Sequence, residues 1–301
     1  MKSALRKIDG ILLLDKPLHI TSNGALQRVK RLFVAKKAGH TGSLDPLATG
    51  MLPLCFGEAT KFSQFLLESD KYYRVSVKLG VKTTTADAEG DITETKSVPY
   101  FDQQQLENIF SQFVGPIQQI PPMHSAVKHK GKPLYELARK GLKVERKPRL
   151  VKIYLLKLGQ YTADTLSLDI HCSKGTYVRT LIEDIGNALG CGAHVSGLRR
   201  LSVTPYQNTP MITLEELEEA HKRFGIQGLN QYLLSAETSV QSLPVIRLST
   251  VAAFYMRSGQ AVMVPHLPKN GLVRLVSEND QFMGVGEVTD DGRVAPRRLV
   301  S

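Results

Sequence analysis

Between a basic helical stretch and an apolar run that has to be buried, the chain carries Ala38-Gly39-His40-Thr41-Gly42-Ser43-Leu44-Asp45-Pro46-Leu47-Ala48-Thr49-Gly50. This stretch can continue neither neighbour. Gly39, Gly42 and Gly50 relax the backbone, Pro46 fixes φ, and Ser43, Asp45 and Thr49 can close hydrogen bonds locally. The run at 51–56 that follows reads as a buried strand. A loop held between two regular elements and carrying one carboxylate suits a reactive group that is both reachable and rigid. Asp before Pro is also an ordinary way to start a turn, and spacing alone leaves both readings of Asp45 open.

The remaining pattern interleaves strand and helix periods. Residues 9–14 read as a first strand, ended by Asp15-Lys16-Pro17. Thr21 or Ser22 can cap a helix over 23–33, with Leu26, Val29 and Phe33 on one face. Residues 58–68 read as a helix, with Phe62, Phe65 and Leu66 inward. Residues 73–79 alternate as a half-buried strand should. Residues 83–94 form an acidic, Thr-rich loop. Its Asp87, Glu89 and Asp91 resemble a calcium loop only faintly, because the glycine is misplaced and no glutamate closes the spacing. A short amphipathic helix is expected over 106–113, then an irregular, proline-marked stretch over 115–131, then a helix opened by Pro133. The basic stretch 143–149 follows, then paired strands at 151–158 and 166–172, a helix at 176–189 and a strand at 194–204. Residues 214–224 and 229–234 read as helical.

Leu243-Pro244 marks a boundary, giving units of 1–243 and 244–301. The second holds a helix near 250–257, strands at 272–276 and 282–288, and a hairpin turn at Asp290-Asp291-Gly292 before 293–300. Strands adjacent in sequence, mixed with helices, favour an α+β or mixed sheet over a doubly wound one.

A length of 301 residues is enough for one large core and one small one. The apolar runs are far too short to span a bilayer, and residues 1–16 lack the cleavage site of a signal peptide. Three cysteines, an odd number without metal-ligand spacing, argue against a disulfide framework or a zinc site and for a reducing cytoplasm. The formal net charge of +11 favours a polyanionic partner. With no basic amphipathic membrane helix in view, that partner is nucleic acid rather than a membrane.

The run Gly39-His40-Thr41-Gly42-Ser43-Leu44-Asp45-Pro46-Leu47-Ala48-Thr49-Gly50 resembles, along its whole length, the catalytic motif of the TruB family of pseudouridine synthases. Other stretches agree. Ser173-Lys174-Gly175-Thr176-Tyr177-Val178-Arg179-Thr180-Leu181 is similar to the family's second signature, and Asp70-Lys71-Tyr72-Tyr73-Arg74 to its base-packing segment. Lys16-Pro17 and Leu198-Arg199-Arg200 match cleft positions. The stretch 121–128 is also similar, although bacterial members often carry tyrosine where His124 stands, and His124 is given no role.

The resemblance implies a pseudouridine-synthase fold: a mixed, largely antiparallel central sheet with flanking helices and a cleft, plus a small β-rich PUA-like RNA-binding domain at 244–301. It implies isomerisation of the uridine at tRNA position 55, in the TΨC loop, with the T-arm as partner. The reaction has no redox step and calls for no cofactor or metal. A cytoplasmic monomer with no obligate protein partner is expected.

Asp45 is the leading catalytic residue, a nucleophile if it stays ionised, which a nearby guanidinium favours by lowering its pKa. The resemblance makes that guanidinium Arg179; without it, an ordinary helix-surface pair between Arg179 and Glu183 would be preferred. Tyr73 is assigned to pack on the target base and implied as a base, while adjacent Tyr72 must face the other side of its strand. His40 could act as a general base; the resemblance instead has its ring fill the space the uridine leaves. Tyr177 and Leu198 are expected to contact the nucleotide, and Lys16 to be structural or to contact phosphate. The residues leave two other functions to compare: a glycosidase pair of Asp45 with Glu183 or Asp184, and a non-catalytic RNA-binding or RNA-folding protein.

Overall fold

The computed structural model describes residues 4–125, 127–142 and 144–300. Ala126, in the stretch similar to the family's, and Lys143, which opens the basic stretch, lie outside the described residues. The chain begins β1 (Gly10–Lys16), α1 (Ser22–Leu32), β2 (Ala38–His40), β3 (Ala48–Phe56), α2 (Ser63–Leu67), β4 (Lys71–Leu79), β5 (Val81–Thr83) and β6 (Ile92–Thr95). It continues with α3 (Gln103–Ser111), β7 (Gly115–Gln119), β8 (Lys128–His129), β9 (Lys132–Pro133), α4 (Leu134–Arg139), β10 (Arg149–Tyr161), β11 (Thr165–Cys172), α5 (Val178–Ala188) and β12 (Ala193–Val203). It ends with α6 (Leu214–Gly228), β13 (Val245–Leu248), α7 (Thr250–Arg257), β14 (Gly271–Ser277), β15 (Phe282–Val288) and β16 (Val294–Leu299).

An eight-stranded sheet in the order β1-β3-β12-β4-β11-β10-β7, with β2 on β3, organises the large unit. Its pairings are antiparallel except β3 with β12, where Leu198, Arg199 and Arg200 run parallel to Ala48, Thr49 and Gly50. The two sides of β1 explain why its sequence is apolar throughout. Leu12 and Leu14 join Ala25, Leu26 and Val29 of α1 in the main core. Ile11 and Leu13 face the other way, with Met51, Cys55 and Tyr206. A strand covered on both faces has no polar side to show. Burying each such leucine contributes roughly 1.5–3 kcal/mol.

β4 has one covered face, and its burial alternates as the sequence predicts. The Thr21 hydroxyl accepts a hydrogen bond from the Gly24 N–H and caps α1. α5 places Val178, Leu181, Ile182 and Ile185 in the core along one stripe.

The tail forms a separate sheet, β13-β14-β15-β16, around its own core of Ile246, Leu248, Met256, Val273, Leu275 and Val294. Phe282 packs on Phe62 with ring centroids 5.3 Å apart, so the tail rests on the large unit. Among the described residues, no helix is long and apolar enough to cross a membrane.

Four local expectations change. The segment expected as a helix over 58–68 opens as a 3-10 turn, Gly57–Phe62, before α2. Lys61 here donates to the Glu58 carboxylate and to the Leu299 carbonyl of the tail, contacts the tighter turn accommodates. The stretch expected to be irregular from 115 contains β7, which borrows its order from β10 across the ladder. β13 was not expected at all; it pairs in parallel with β14 and is short. Finally, α5 starts at Val178, because Tyr177 is still extended.

Candidate active site

The Asp45 loop is fixed from several directions. The Ser22 hydroxyl, at the start of α1, donates to the Leu44 carbonyl (3.0 Å) and accepts from the Leu44 N–H (2.7 Å). His19 N–H donates to the Pro46 carbonyl (2.9 Å) and Ala48 N–H to the Asp45 carbonyl (3.0 Å). Gly42, at φ +82°, occupies the left-handed region that glycine tolerates. Side-chain rotamers carried on such a frame lose little freedom when they bind.

Lys16 supports this loop from beneath. It is fully buried, and its ammonium donates to the carbonyls of Pro17 (2.8 Å) and Ile20 (2.7 Å), with Pro46 at 3.5 Å. Of its two expected roles, this enclosure by three carbonyls favours the structural one. Burial lowers its pKa to about 8.

Asp45 lines a cleft of about 420 Å³ together with His40, Tyr73, Tyr177, Arg179, Leu198 and Arg200. The Arg179 Nε lies 3.0 Å from Asp45 Oδ2. Arg179 is itself buried, and its other nitrogens are used. Nη1 donates to the Thr85 carbonyl and to Asp87 Oδ2, both at 3.1 Å, and Nη2 donates to the His124 carbonyl at 2.8 Å. The guanidinium therefore joins two carboxylates, and the alternative pairing with Glu183 is not formed.

Asp87 was the residue sequence reasoning missed. It is 2% exposed, and its Oδ1 accepts from the Thr85 hydroxyl (2.6 Å) and the Glu89 N–H (3.1 Å). The acidic, Thr-rich composition of its loop was the available signal. It pointed to a cation, and the cation is a guanidinium.

The electrostatics reverse one expectation. The cleft walls remove water from around Asp45 and push its pKa up from the ordinary aspartate value; Arg179 opposes this, and Asp87 adds to it. Desolvation outweighs the guanidinium. The side chain nevertheless keeps 41% of its surface open to the cleft.

Tyr73 faces the cleft from β4, nearly buried, with its phenol pKa raised by burial and held back by Arg200. Tyr72 lies on the opposite face, its ring 5.8 Å from that of His171. Tyr177 is clamped at the start of α5: its N–H donates to Gln119 Oε1 (3.0 Å), and its carbonyl accepts from Gln119 Nε2 (3.3 Å). His40 lines the cleft with Nδ1 enclosed and without a hydrogen-bond partner. Burial, and then Arg200, lower its pKa, which favours the neutral ring. Leu198 projects into the cleft from β12. The structure thus brings every expected site residue except Lys16 to one cleft. Arg200, quoted in the sequence only as part of a matching triplet, forms part of the floor.

Comparison with solved structures matches this architecture over nearly its whole length. A Cbf5-Nop10-Gar1 complex aligns with TM-score 0.75 and 26% identity, covering 96% of this chain and 84% of that one. An H/ACA RNP bound to a substrate RNA containing 2′-deoxyuridine aligns with TM-score 0.74 and 24% identity, covering 97% and 85%. A mixed sheet with a loop-borne carboxylate at its cleft places the chain in the pseudouridine-synthase fold class.

Models for the TruB family pseudouridylate synthase N-terminal domain, the tRNA pseudouridylate synthase B C-terminal domain and the pseudouridine synthase II TruB C-terminus match residues 30–178, 179–241 and 244–300. A tRNA pseudouridine synthase B of Coxiella burnetii is 57% identical over 295 residues, covering 98% of this chain and 96% of that protein. That of Tolumonas auensis is 54% identical over 302 residues, covering 98% and 93%. That of Pseudomonas fluorescens is 52% identical over 300 residues, covering 100% and 98%. The chain belongs to the TruB family.

Proposed function

We propose that this chain is a tRNA pseudouridine synthase that isomerises the uridine at position 55, in the TΨC loop. The observation that carries this reading is the pairing of Asp45 with buried Arg179 at the wall of a nucleotide-sized cleft. The net charge of +11 supports an RNA substrate, and the names of the relatives above support tRNA.

In the reaction, the target base leaves the stack at a cost of a few kcal/mol, and RNA contacts supply that energy. Asp45 acts as nucleophile at the ribosyl or uracil centre, with Arg179 aiming it and opposing the loss of its charge that burial favours. Tyr73 packs on the base and serves as a base when C5 loses its proton. Tyr177 and Leu198 hold the nucleotide, and the His40 ring fills the gap left in the loop. The C1′–N1 bond breaks, C1′ joins C5, and a proton moves from C5 to N1. The balance needs no oxidant, reductant or cofactor.

We assign residues 1–243 to catalysis and 244–301 to a PUA-like RNA-binding domain, a division supported by the separate tail sheet and core. The enzyme works as a cytoplasmic monomer on the T-arm, without an obligate protein partner. Incubation of purified protein with an unmodified tRNA transcript, followed by pseudouridine mapping, tests the function. Product at position 55 is expected. Tight binding without product would refute catalysis and leave an RNA-binding protein.

A further inference from the structure

Arg200 carries a charge that the fold encloses without balancing. It is 1% exposed, and among the described residues no carboxylate pairs with it. Its Nε donates to the Met51 carbonyl at 2.6 Å and its Nη2 to the Gly42 carbonyl at 3.0 Å. Carbonyl oxygens accept from two of its nitrogens but do not cancel its charge. Keeping such a cation out of water is costly, and a fold gains nothing from it by packing alone.

Its placement is specific. On the β12–β4 ladder, Arg200 lies directly opposite Tyr73, so the two side chains project from the same face. On the other flank it lies opposite Gly50 of β3. The guanidinium therefore touches the Asp45 loop at Gly42 and lies beside Tyr73, both of which line the cleft. The other charged or titratable groups that feel it are Lys71, on the same strand as Tyr73, with His40, Lys16 and Cys172. Lys71 is also buried, and its ammonium donates to the carbonyls of Leu66 (3.2 Å) and Leu67 (2.8 Å) and to that of Ser69. The cleft floor is thus cationic, while the positive charge of Arg179 is answered by two carboxylates.

We propose that Arg200 is a positioning residue whose unbalanced charge stabilises the pyrimidine as an anion while it is detached from the ribose. This rests on the function proposed above. When C1′–N1 breaks, the bonding pair stays on N1 and spreads over the ring. Bond formation at C5 consumes that negative charge, and the C5 proton is passed to N1. A fixed cation behind Tyr73 favours the intermediate without having to reorganise, the usual source of electrostatic rate enhancement.

Single-turnover loss of the starting nucleoside is measured for wild type, Arg200→Gln and Arg200→Lys, on tRNA carrying uridine or 5-fluorouridine at the target. Fluorine withdraws electrons and stabilises the pyrimidine anion by itself. Arg200→Gln is expected to lose roughly 100-fold on uridine, with tRNA affinity within a few-fold of wild type, and distinctly less on 5-fluorouridine. Arg200→Lys keeps the charge and should stay within about ten-fold of wild type. Equal losses on both substrates, or equal losses for Gln and Lys, would overturn the proposal. Should the Gln variant fail to fold, the Lys variant decides: a folded Arg200→Lys protein as inactive as Asp45→Asn overturns it. If wild type makes no pseudouridine, the function falls and this assignment with it. If wild type turns over and the substitutions behave alike, only the assignment falls.

Discussion

Asp45 and Asp87 share one guanidinium: Arg179 reaches Asp45 through Nε at 3.0 Å and Asp87 through Nη1 at 3.1 Å. The two carboxylates differ in surroundings. Asp87 is enclosed and hydrogen-bonded by its own loop, whereas Asp45 lies on the cleft wall. Asp87 thereby anchors the arginine from behind while Asp45 remains available in front.

Asp87→Asn should leave Arg179 answered by Asp45 alone. Asp87 raises the Asp45 pKa, so its removal shifts the acidic limb of kcat/KM to lower pH. The looser arginine should also lower the plateau, by roughly 10–100-fold. An acidic limb that moves upward would contradict the shared-guanidinium arrangement.

Asp45→Asn should abolish isomerisation while tRNA affinity stays within a few-fold. Arg179→Lys replaces a fork that spans two carboxylates with a point charge, and should cost roughly 100-fold in kcat. In wild type the Asp45 pKa is raised in the fold, so activity rises with pH through a limb above the ordinary aspartate value. Arg179→Gln should move that limb higher still, because the opposing charge is gone. Rate-against-pH profiles of wild type and Arg179→Gln decide this.

Lys16→Met addresses stability. The Lys16 pKa falls from 10.5 to about 8 in the fold. Between these values the unfolded chain binds more protons at this group, so its contribution to wild-type stability rises with pH across that window, while Cys55 and Cys172, pushed up from 9.0 to about 12, work in the opposite direction. Below it, both states are charged and the cost of burial is fully present. Denaturant titrations should show that the difference in stability between wild type and Lys16→Met shifts in favour of wild type between pH 8 and 10.5; an unchanged difference would contradict the buried ammonium.

Gly50→Ala should be severe. An added Cβ would meet the Arg200 carbonyl oxygen at 2.2 Å, and Gly50 holds φ at +97°. Strand separation and backbone strain together should cost roughly 3–5 kcal/mol, read as a lowered Tm. A melting temperature within a few degrees of wild type would show that β3 and β12 can part without penalty.

Affinity for tRNA should fall steeply and linearly on a log–log plot against salt, since phosphate contacts release counterions. A flat dependence would count against RNA as the substrate.

Much of this fold was legible because its strands obey simple periods. Residues 73–79 alternate, and β4 covers them. The apolar run after the Asp45 loop became β3, covered on both sides. The glycines and Asp45-Pro46 announced a rigid loop, and the family resemblance supplied Arg179, Tyr73, Tyr177, Leu198 and His40 at the cleft. The parts that could not be read depend on partners distant in the chain. β7 exists because β10 pairs with it. Asp87 matters because Arg179, far along the chain, turns toward it. Lys16, expected to be structural or to contact phosphate, is enclosed by carbonyls of Pro17, Ile20 and Pro46, two of them in turns that only the folded chain brings to it. The direction of the Asp45 pKa shift depended on how much water the walls exclude, which no local pattern encodes.

β12 lies between β3 and β4, the sheet's one parallel seam on one flank and Tyr73 on the other. A ribosome has therefore already delivered the reactive carboxylate, its guanidinium and the aromatic platform before it makes the strand that draws them together. Pairing β12 with β3 and β4 across so much intervening chain is slow to nucleate compared with closing a hairpin. Partial products hold the chemistry without the surface that aims it, and competence arrives only when the last strand of the large sheet slides home.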